Sequence, residues 1–600
     1  MTRDDDHGHG PAGPALSRRD ALRLTLAAGV SATSITMLVT DPAEAAKSGP
    51  FLHGVASGDP KAGRVVIWTR VTKADASSPI PVKWTLSSDA AMRRTVKEGT
   101  TEANAERDFT VKVDVKGLEP GETYYYRFEA DGAASPVGRT KTLPVGKVKQ
   151  LRLAAVSCSN FELGFFNAYR EIARYDDLDA VLHLGDYIYE YGPGLEGYTT
   201  PAAALGLVPK PRDKKLEPRE EIIALEQYRA RHALYKTDRD LQKLHARNAV
   251  INIWDDHEVA NDAWKGGAEN HDPETEGDYQ ARKAAGIRAF YEWLPIREPA
   301  DGDPLDPDTG NPDDLYRVFD FGDLARLVMI DTRQAGRDQQ LAAPALIDVY
   351  SGVAPQGPFP KDVRGGGKPR QLLGGRQANW VDRRITEADQ TWQLIGNQVL
   401  MFYQASPDIG ASSLLSLPQR LALLADLDRV GGAGFGDQIA ALGAAGLPFP
   451  LAADAWTGYP TARLAMLETL AKAPNPVVLT GDSHNAWTAN LVQPSAEGPK
   501  PVAPEFGGTS VSSPGYEQYL LNTAPEVIAA LFVESSAKRP TIDQLIYAEQ
   551  RRRGFMLIEA RPKAVTVDHV FVSTVFDRTY VTETVRFRVK AGERAARPVD

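Results

Sequence analysis

A chain of 600 residues is long enough for a small domain beside a large one. Its composition, 42% hydrophobic, 25% charged and 8% aromatic, excludes an intrinsically disordered chain, and one apolar stretch near the N-terminus excludes a multi-span membrane protein. The net charge of −10 argues against a long nucleic acid as partner, and the lone Cys158 excludes an internal disulfide framework or a Cys-rich zinc ribbon.

Residues 1–46 come first. Ser17-Arg18-Arg19-Asp20-Ala21-Leu22-Arg23 resembles a twin-arginine (Tat) export signal, followed by a weakly apolar run, Ala21 to Val39, and by small residues for cleavage at Ala43-Glu44-Ala45. Arg23 and the wealth of Ala, Gly, Ser and Thr make that run a poor anchor, so the mature chain is expected to lack a stable membrane span. The Tat machinery is then a partner, and the destination is periplasmic, cell-wall or extracellular. A single cysteine in such a place serves as a metal ligand, a reactive thiol or an inert core residue.

Residues 47–145 have an all-β texture. Val65–Val71, Val82–Leu86, Phe109–Val115 and Thr123–Phe128 have strand patterns, and the turn Leu118-Glu119-Pro120-Gly121 before Tyr124 and Tyr126 resembles fibronectin type III or immunoglobulin-like sandwiches. No reactive constellation occurs there, which assigns it a packing role. From residue 148 to 600 short apolar strands (Leu151–Val156, Ala180–Leu184, Ala249–Trp254, Leu327–Ile330, Val477–Thr480) alternate with helical stretches near Leu163–Arg174, Glu217–Tyr235 and Tyr279–Trp293. That pattern predicts an α/β domain whose sheets are covered by helices. Thr199–Pro218 and Glu298–Pro312 have loop composition, and Gly- and Ala-rich residues 335–460 read as an insertion near the site. The run Val565–Arg588 either covers the site or extends a sheet.

Metal-binding side chains collect where strands end. Ser157-Cys158-Ser159-Asn160 follows Val156, Gly185-Asp186-Tyr187-Ile188-Tyr189 follows Leu184, Asp255-Asp256-His257-Glu258 follows Trp254, and Gly481-Asp482-Ser483-His484 follows Thr480. One Gly-Asp is ordinary turn chemistry. Four clusters at equivalent strand exits point instead to a shared crevice. In an extended segment the neighbour of Asp186 faces away from it, which favours Tyr189 over Tyr187 as its companion.

Together, Gly185-Asp186-x-x-Tyr189, the His257-Glu258 pair and Gly481-Asp482-x-His484 resemble the calcineurin-like metallophosphoesterases. With Ser157-Cys158 in place of the usual first acidic ligand, the match is to the PhoD-type alkaline phosphatases. His53-Gly54-Val55-Ala56-Ser57-Gly58-Asp59-Pro60 and Glu505-Phe506-Gly507-Gly508-Thr509-Ser510 are similar to that family too. The resemblance implies a layered β-sandwich core flanked by helices, and a centre of Fe3+ with one or two Ca2+. It assigns Cys158, Tyr189 and His484 to iron, since thiolate and phenolate donate strongly to a trivalent ion. Asp186 bridges, Asp256 (or Asp255) and Asp482 hold calcium, and Asn397 is a further calcium ligand or phosphate contact. Asn160 and Arg333 are assigned to substrate, Arg333 equally to a structural ion pair, and His257 to the transition state or the leaving group.

The function implied is hydrolysis of phosphate diesters and monoesters by in-line attack of metal-bound hydroxide. Five ionised ligands against Fe3+ and one Ca2+ leave little surplus positive charge to attract a dianion, which favours diesters. The alternatives are a secreted binding or adhesion protein with structural metals, and a phosphotriesterase-type hydrolase on the same centre. His183 reads as a core histidine; His53, His232, His245, His271 and His569 read as surface or packing residues.

Overall fold

The structure, a computed structural model, describes residues 49–73, 78–193, 200–209, 212, 216–298, 315–341, 369–404, 407–444, 453–493, 498–538 and 543–599. The export signal read on residues 1–46 lies outside them, as do 299–312 of one loop and 342–368 of the stretch read as an insertion.

Two large sheets form the mixed α/β core. In the first, Leu151–Val156, Ala180–His183, Ala249–Asn252 and Val55–Lys61 are neighbours in that order, and all are parallel. In the second, Ala325–Met329, Trp392–Asn397, Pro476–Thr480 and Lys500–Gly507 are likewise parallel neighbours. Side-chain alternation decides how the layers stack. Leu327, Met329, Leu394, Val477 and Leu479 join Leu153, Val181 and Ile251 of the first sheet in one apolar cluster. Their neighbours Val328, Ile330, Ile395 and Val478 turn the other way, into a second cluster with helices Gly374–Thr386 and Pro460–Lys472. Strands apolar on both faces are what such a two-sheet, helix-covered arrangement requires.

Strands at the N-terminal end divide between two sheets. Val55–Lys61, Arg64–Arg70 and Thr110–Lys116 extend the first large sheet, whereas Ile80–Ser87, Thr95–Ala103 and Thr123–Ala130 form a separate one. Tyr124, Tyr126 and Phe128 alternate inward along the last of these and meet Val65, Ile67 and Val115 in a shared core. Gly58 pairs with Val250 in the parallel ladder, where a Cβ would lie 2.4 Å from the Val250 carbonyl oxygen. Only glycine permits that approach.

Helix Tyr279–Trp293 has its expected bounds, and Asp278 caps it by accepting from the Ala281 N–H. The helix expected from Glu217 begins only at Leu225. The carbonyls of Glu217 and Pro218 are instead taken by the Arg231 guanidinium, which faces back from that helix. Near Leu163 the helix spans only Asn167–Ile172, because the Phe165 N–H is tied to the Val575 carbonyl. Residues 335–460, whose Gly- and Ala-rich texture reads as an insertion, supply the strand Trp392–Asn397, flanked on both sides in the second sheet. The C-terminal run extends a sheet: Ala564–Val572 and Thr582–Lys590 pair antiparallel beyond Arg553–Arg561.

Candidate metal centre

The candidate ligands stand at C-terminal strand ends, but of two sheets rather than one. Cys158, Asp186 and Asp255-Asp256 follow strands of the first sheet; Asp482 and His484 follow a strand of the second. Four of these residues sit in left-handed backbone, with φ of 61° at Cys158, 55° at Asp186, 62° at Asp482 and 60° at His484. Non-glycine residues seldom adopt that region, and where they do the strain is concentrated at functional sites. Gly185, at φ 110°, lets the Asp186 loop pass beside Asp255: a Cβ there would lie 2.4 Å from the Asp255 Cβ.

Glu258 locks two of these loops together. Its carboxylate accepts from the backbone N–H groups of Asp186 (3.2 Å), Tyr187 (2.5 Å) and Asp255 (2.8 Å). A serine-rich strap that continues the Glu505–Ser510 motif closes the far side. Ser512 and Ser513 donate their N–H groups to the Cys158 carbonyl, and the Pro514 carbonyl lies 2.9 Å from His484 Nδ1. That contact orients the imidazole with Nε2 toward the Tyr189 hydroxyl, 3.2 Å away.

The donor atoms gather in three overlapping sets, Cys158-Asp186-His484, Asp186-Asp256-His257 and Asp255-Asp256-Asp482, each within 4.8 Å. Asp186 and Asp256 are each shared by two sets. Tyr189 joins the first, its hydroxyl donating to Asp186 Oδ2 at 3.0 Å, whereas Tyr187 turns away to His245 at 2.8 Å. Asp186 Oδ1, Asp255 Oδ2 and Asp256 Oδ1 are buried oxygens with no hydrogen-bond partner. Burying carboxylates in that state is costly unless cations accompany them.

Electrostatics support the same point. Burial, then the charge of Asp186, pushes the Cys158 thiol well above its ordinary range. Burial raises Asp186 as well, and carries Asp255 up to about 6. Burial pushes His484 down to about 3, which leaves it neutral and able to ligate. A cation reverses the balance at the thiol and carboxylates, since it favours their ionised forms.

The remaining expected residues are less alike. Asn397 is fully buried; its Nδ2 donates to the Val399 carbonyl and Thr480 Oγ1, and its Oδ1 accepts from Trp456 Nε1 at 3.1 Å. Thr480 in turn donates to the buried Glu505 at 2.7 Å. Asn160 accepts from the Glu162 N–H through Oδ1 and from Ser512 through its carbonyl. Arg333 is fully buried, and its guanidinium is ion-paired with Asp255 (2.5 Å), Asp482 (3.0 Å) and Asp454 (3.1 Å). The ion-pair half of its sequence reading is therefore the contact present. His183 bonds Tyr169 at 2.8 Å in the core, and His53, His232, His245 and His569 are buried in packing positions.

Three carboxylates were missed. Glu190 accepts from His257 Nδ1 at 2.6 Å and from the Asn261 N–H and Asn270 Nδ2. The signal available was an acidic residue at the end of an otherwise apolar and aromatic run. No strand among the described residues leads into Asp454, and Asp262 stands six residues beyond Asp256, to whose Oδ2 its N–H donates at 2.6 Å. Burial and the neighbouring charge of Asp454 push Asp262 well up.

Overlapping thiol, imidazole, phenol and carboxylate donors at the strand ends of a two-sheet α/β fold have the chemistry of a candidate metal centre in an enzyme. Which family it is follows from comparison with known proteins. The PhoD-like phosphatase profile matches residues 153–569, and the PhoD-like phosphatase N-terminal domain profile matches residues 37–144. Alkaline phosphatase D of Bacillus subtilis (strain 168) is 33% identical over 509 residues, which are 82% of this chain and 74% of that protein. A solved structure of PhoD superposes with a TM-score of 0.69 at 29% identity, covering 92% of both chains. The chain belongs to the PhoD-like phosphatase family and is a phosphoric ester hydrolase.

Proposed function

We propose that the protein is an exported hydrolase of phosphate diesters and monoesters that works with Fe3+ and one or two Ca2+. The observation that carries this reading is the sharing of Asp186 and Asp256 among three donor sets. The fit to cations rests on the buried oxygens of Asp186, Asp255 and Asp256 that lack a hydrogen bond, and on donor chemistry. Cys158, Tyr189 and His484 would hold the iron, Asp186 would bridge, and Asp256, Asp255 and Asp482 would hold calcium with Asn397 beside them. When bound, such cations lower the pKa of water and neutralise charge on phosphate oxygens.

His257 acts on the leaving-group oxygen. The Glu190 carboxylate can only accept, so the proton between them belongs to His257 Nδ1, and Nε2 is the atom that serves the substrate. The Tyr189 ring, 4.2 Å from that of His257 between centroids, fixes the imidazole plane. Burial alone would lower the His257 pKa; Glu190, Asp256 and Asp186 outweigh it and hold it well above the ordinary histidine value. Glu190 thus keeps a proton on Nδ1 and places His257 to serve the leaving alkoxide. Asn160 completes the substrate side.

Residues 47–145 are read as a fibronectin III- or immunoglobulin-type sandwich with a packing role, and residues 148–600 as the phosphatase domain. Export by the Tat route to the periplasm, cell wall or medium rests on the Arg18-Arg19 motif. No helix among the described residues is long and apolar enough to cross a membrane. The test is chelation of the purified protein followed by reconstitution against a panel of phosphate mono-, di- and triesters. Activity on mono- and diesters should disappear and return with iron and calcium together. Full turnover in a folded, metal-free Asp186→Ala protein would refute the reading.

A further inference from the structure

The strap at 508–515 carries serines at 510, 512 and 513, and their hydroxyls have different destinations. Ser510 Oγ donates to the Ser513 carbonyl at 2.5 Å, and Ser512 Oγ donates to the Asn160 carbonyl at 2.7 Å. Ser513 Oγ, fully buried, alone of the three reaches a candidate ligand side chain: it lies 2.7 Å from the Tyr189 hydroxyl and 3.0 Å from the Cys158 carbonyl. We infer that Ser513 is a positioning residue whose hydroxyl donates to the Tyr189 oxygen and sets how strongly that oxygen donates to the metal. The inference rests on the proposed ligand role of Tyr189.

The argument is a competition for one proton. Ser513 has one hydroxyl hydrogen and two acceptors within reach. The Cys158 carbonyl already accepts the N–H groups of Ser512 and Ser513, each at 3.3 Å. Tyr189, once it gives up its own proton to ligate a cation, becomes a charged acceptor, and hydrogen bonds to charged acceptors are about twice as strong as neutral ones. Such a bond withdraws electron density from the phenolate, so the charge-transfer transition to Fe3+ needs more energy and Fe2+ becomes easier to reach. The geometry also joins ligands that are distant in sequence, because Ser513 and Pro514 together touch Cys158, Tyr189 and His484.

The experiment uses the full-length protein loaded with iron and calcium, and reads the visible spectrum and the iron reduction potential. Ser513→Ala should keep its iron, move the Tyr189-dependent band to longer wavelength and lower the potential. Ser513→Thr, which retains a hydroxyl, and Ser512→Ala, which removes a neighbouring one, should both leave the band at its wild-type position. Should Ser513→Ala fail to fold, the wild-type protein decides: loaded in D2O rather than H2O, its tyrosinate C–O stretch in resonance Raman should shift. An iron-loaded Ser513→Ala protein with an unmoved band, or a wild-type stretch indifferent to D2O, overturns this inference alone. A wild-type spectrum unchanged by Tyr189→Phe overturns the ligand reading and this inference with it.

Discussion

Replacing Glu190 with glutamine isolates the proposed role of His257. Both Glu190 oxygens only accept: Oε1 takes the Asn261 N–H and Asn270 Nδ2, and Oε2 takes His257 Nδ1 at 2.6 Å. A glutamine must turn its NH2 toward one side. Facing Asn261 and Asn270 it would oppose two donors, so it faces His257 and opposes one. Nδ1 must then accept, and the ring proton moves to Nε2 as part of the wrong neutral tautomer, no longer backed by a buried negative charge. The lost charge-assisted bond is worth about 1.5–3 kcal/mol. General acid–base catalysis contributes roughly 10²- to 10⁴-fold, so kcat should fall about 100-fold, or about 2.7 kcal/mol in barrier. Steady-state kinetics on an aryl phosphodiester, with metal content and melting temperature measured on the same preparation, provides the assay. A Glu190→Gln protein with full metal content and kcat within about threefold of wild type would falsify the assignment.

Asp186→Asn should lose cations from two donor sets at once, because that residue is common to Cys158-Asp186-His484 and Asp186-Asp256-His257; elemental analysis should find both metals depleted and activity reduced by more than about 10³-fold, beyond the 10- to 100-fold typical of an outer contact. Glu505 gives a pH prediction: burial raises it from 4.5 to about 7. Between those values the native state holds a proton that the unfolded chain has released, so stability from this group is full below about pH 4.5 and falls by about 3 kcal/mol as pH rises through 7. Urea unfolding at a series of pH values should show that slope, and Glu505→Gln should flatten it; an unchanged slope disproves the linkage. If five ionised ligands face Fe3+ and one Ca2+, the charges nearly cancel and catalytic efficiency on aryl diesters should at least equal that on the matching monoesters; a wide margin for monoesters would contradict this.

Strands such as Thr123–Ala130 were legible because period-2 burial leaves a plain trace, but their order in the sheets was not. The candidate donor clusters were legible because polar residues directly after apolar strands stand out. What the chain could not disclose was pairing between distant segments. Nothing local in Asp454 or Glu190 tells that the first meets Arg333 and the second His257. Arg333 itself had two equal readings, and its ion pairs come from Asp255, Asp454 and Asp482, all distant in sequence. The helix start at Leu225 was hidden for the same reason, since the carbonyls that would have begun it earlier are claimed by Arg231.

Left-handed backbone at positions 158, 186, 482 and 484 sets up a conflict between durability and use. Each such residue costs about 1 kcal/mol, so the quartet forfeits about 4 kcal/mol against a net folding stability of about 5–15 kcal/mol. Glycine or asparagine at any of them would relax the turn. A directed-evolution campaign that rewarded heat tolerance alone would therefore drift toward those substitutions and, on the proposed ligand roles, yield a hardier but inactive protein unless turnover were screened alongside.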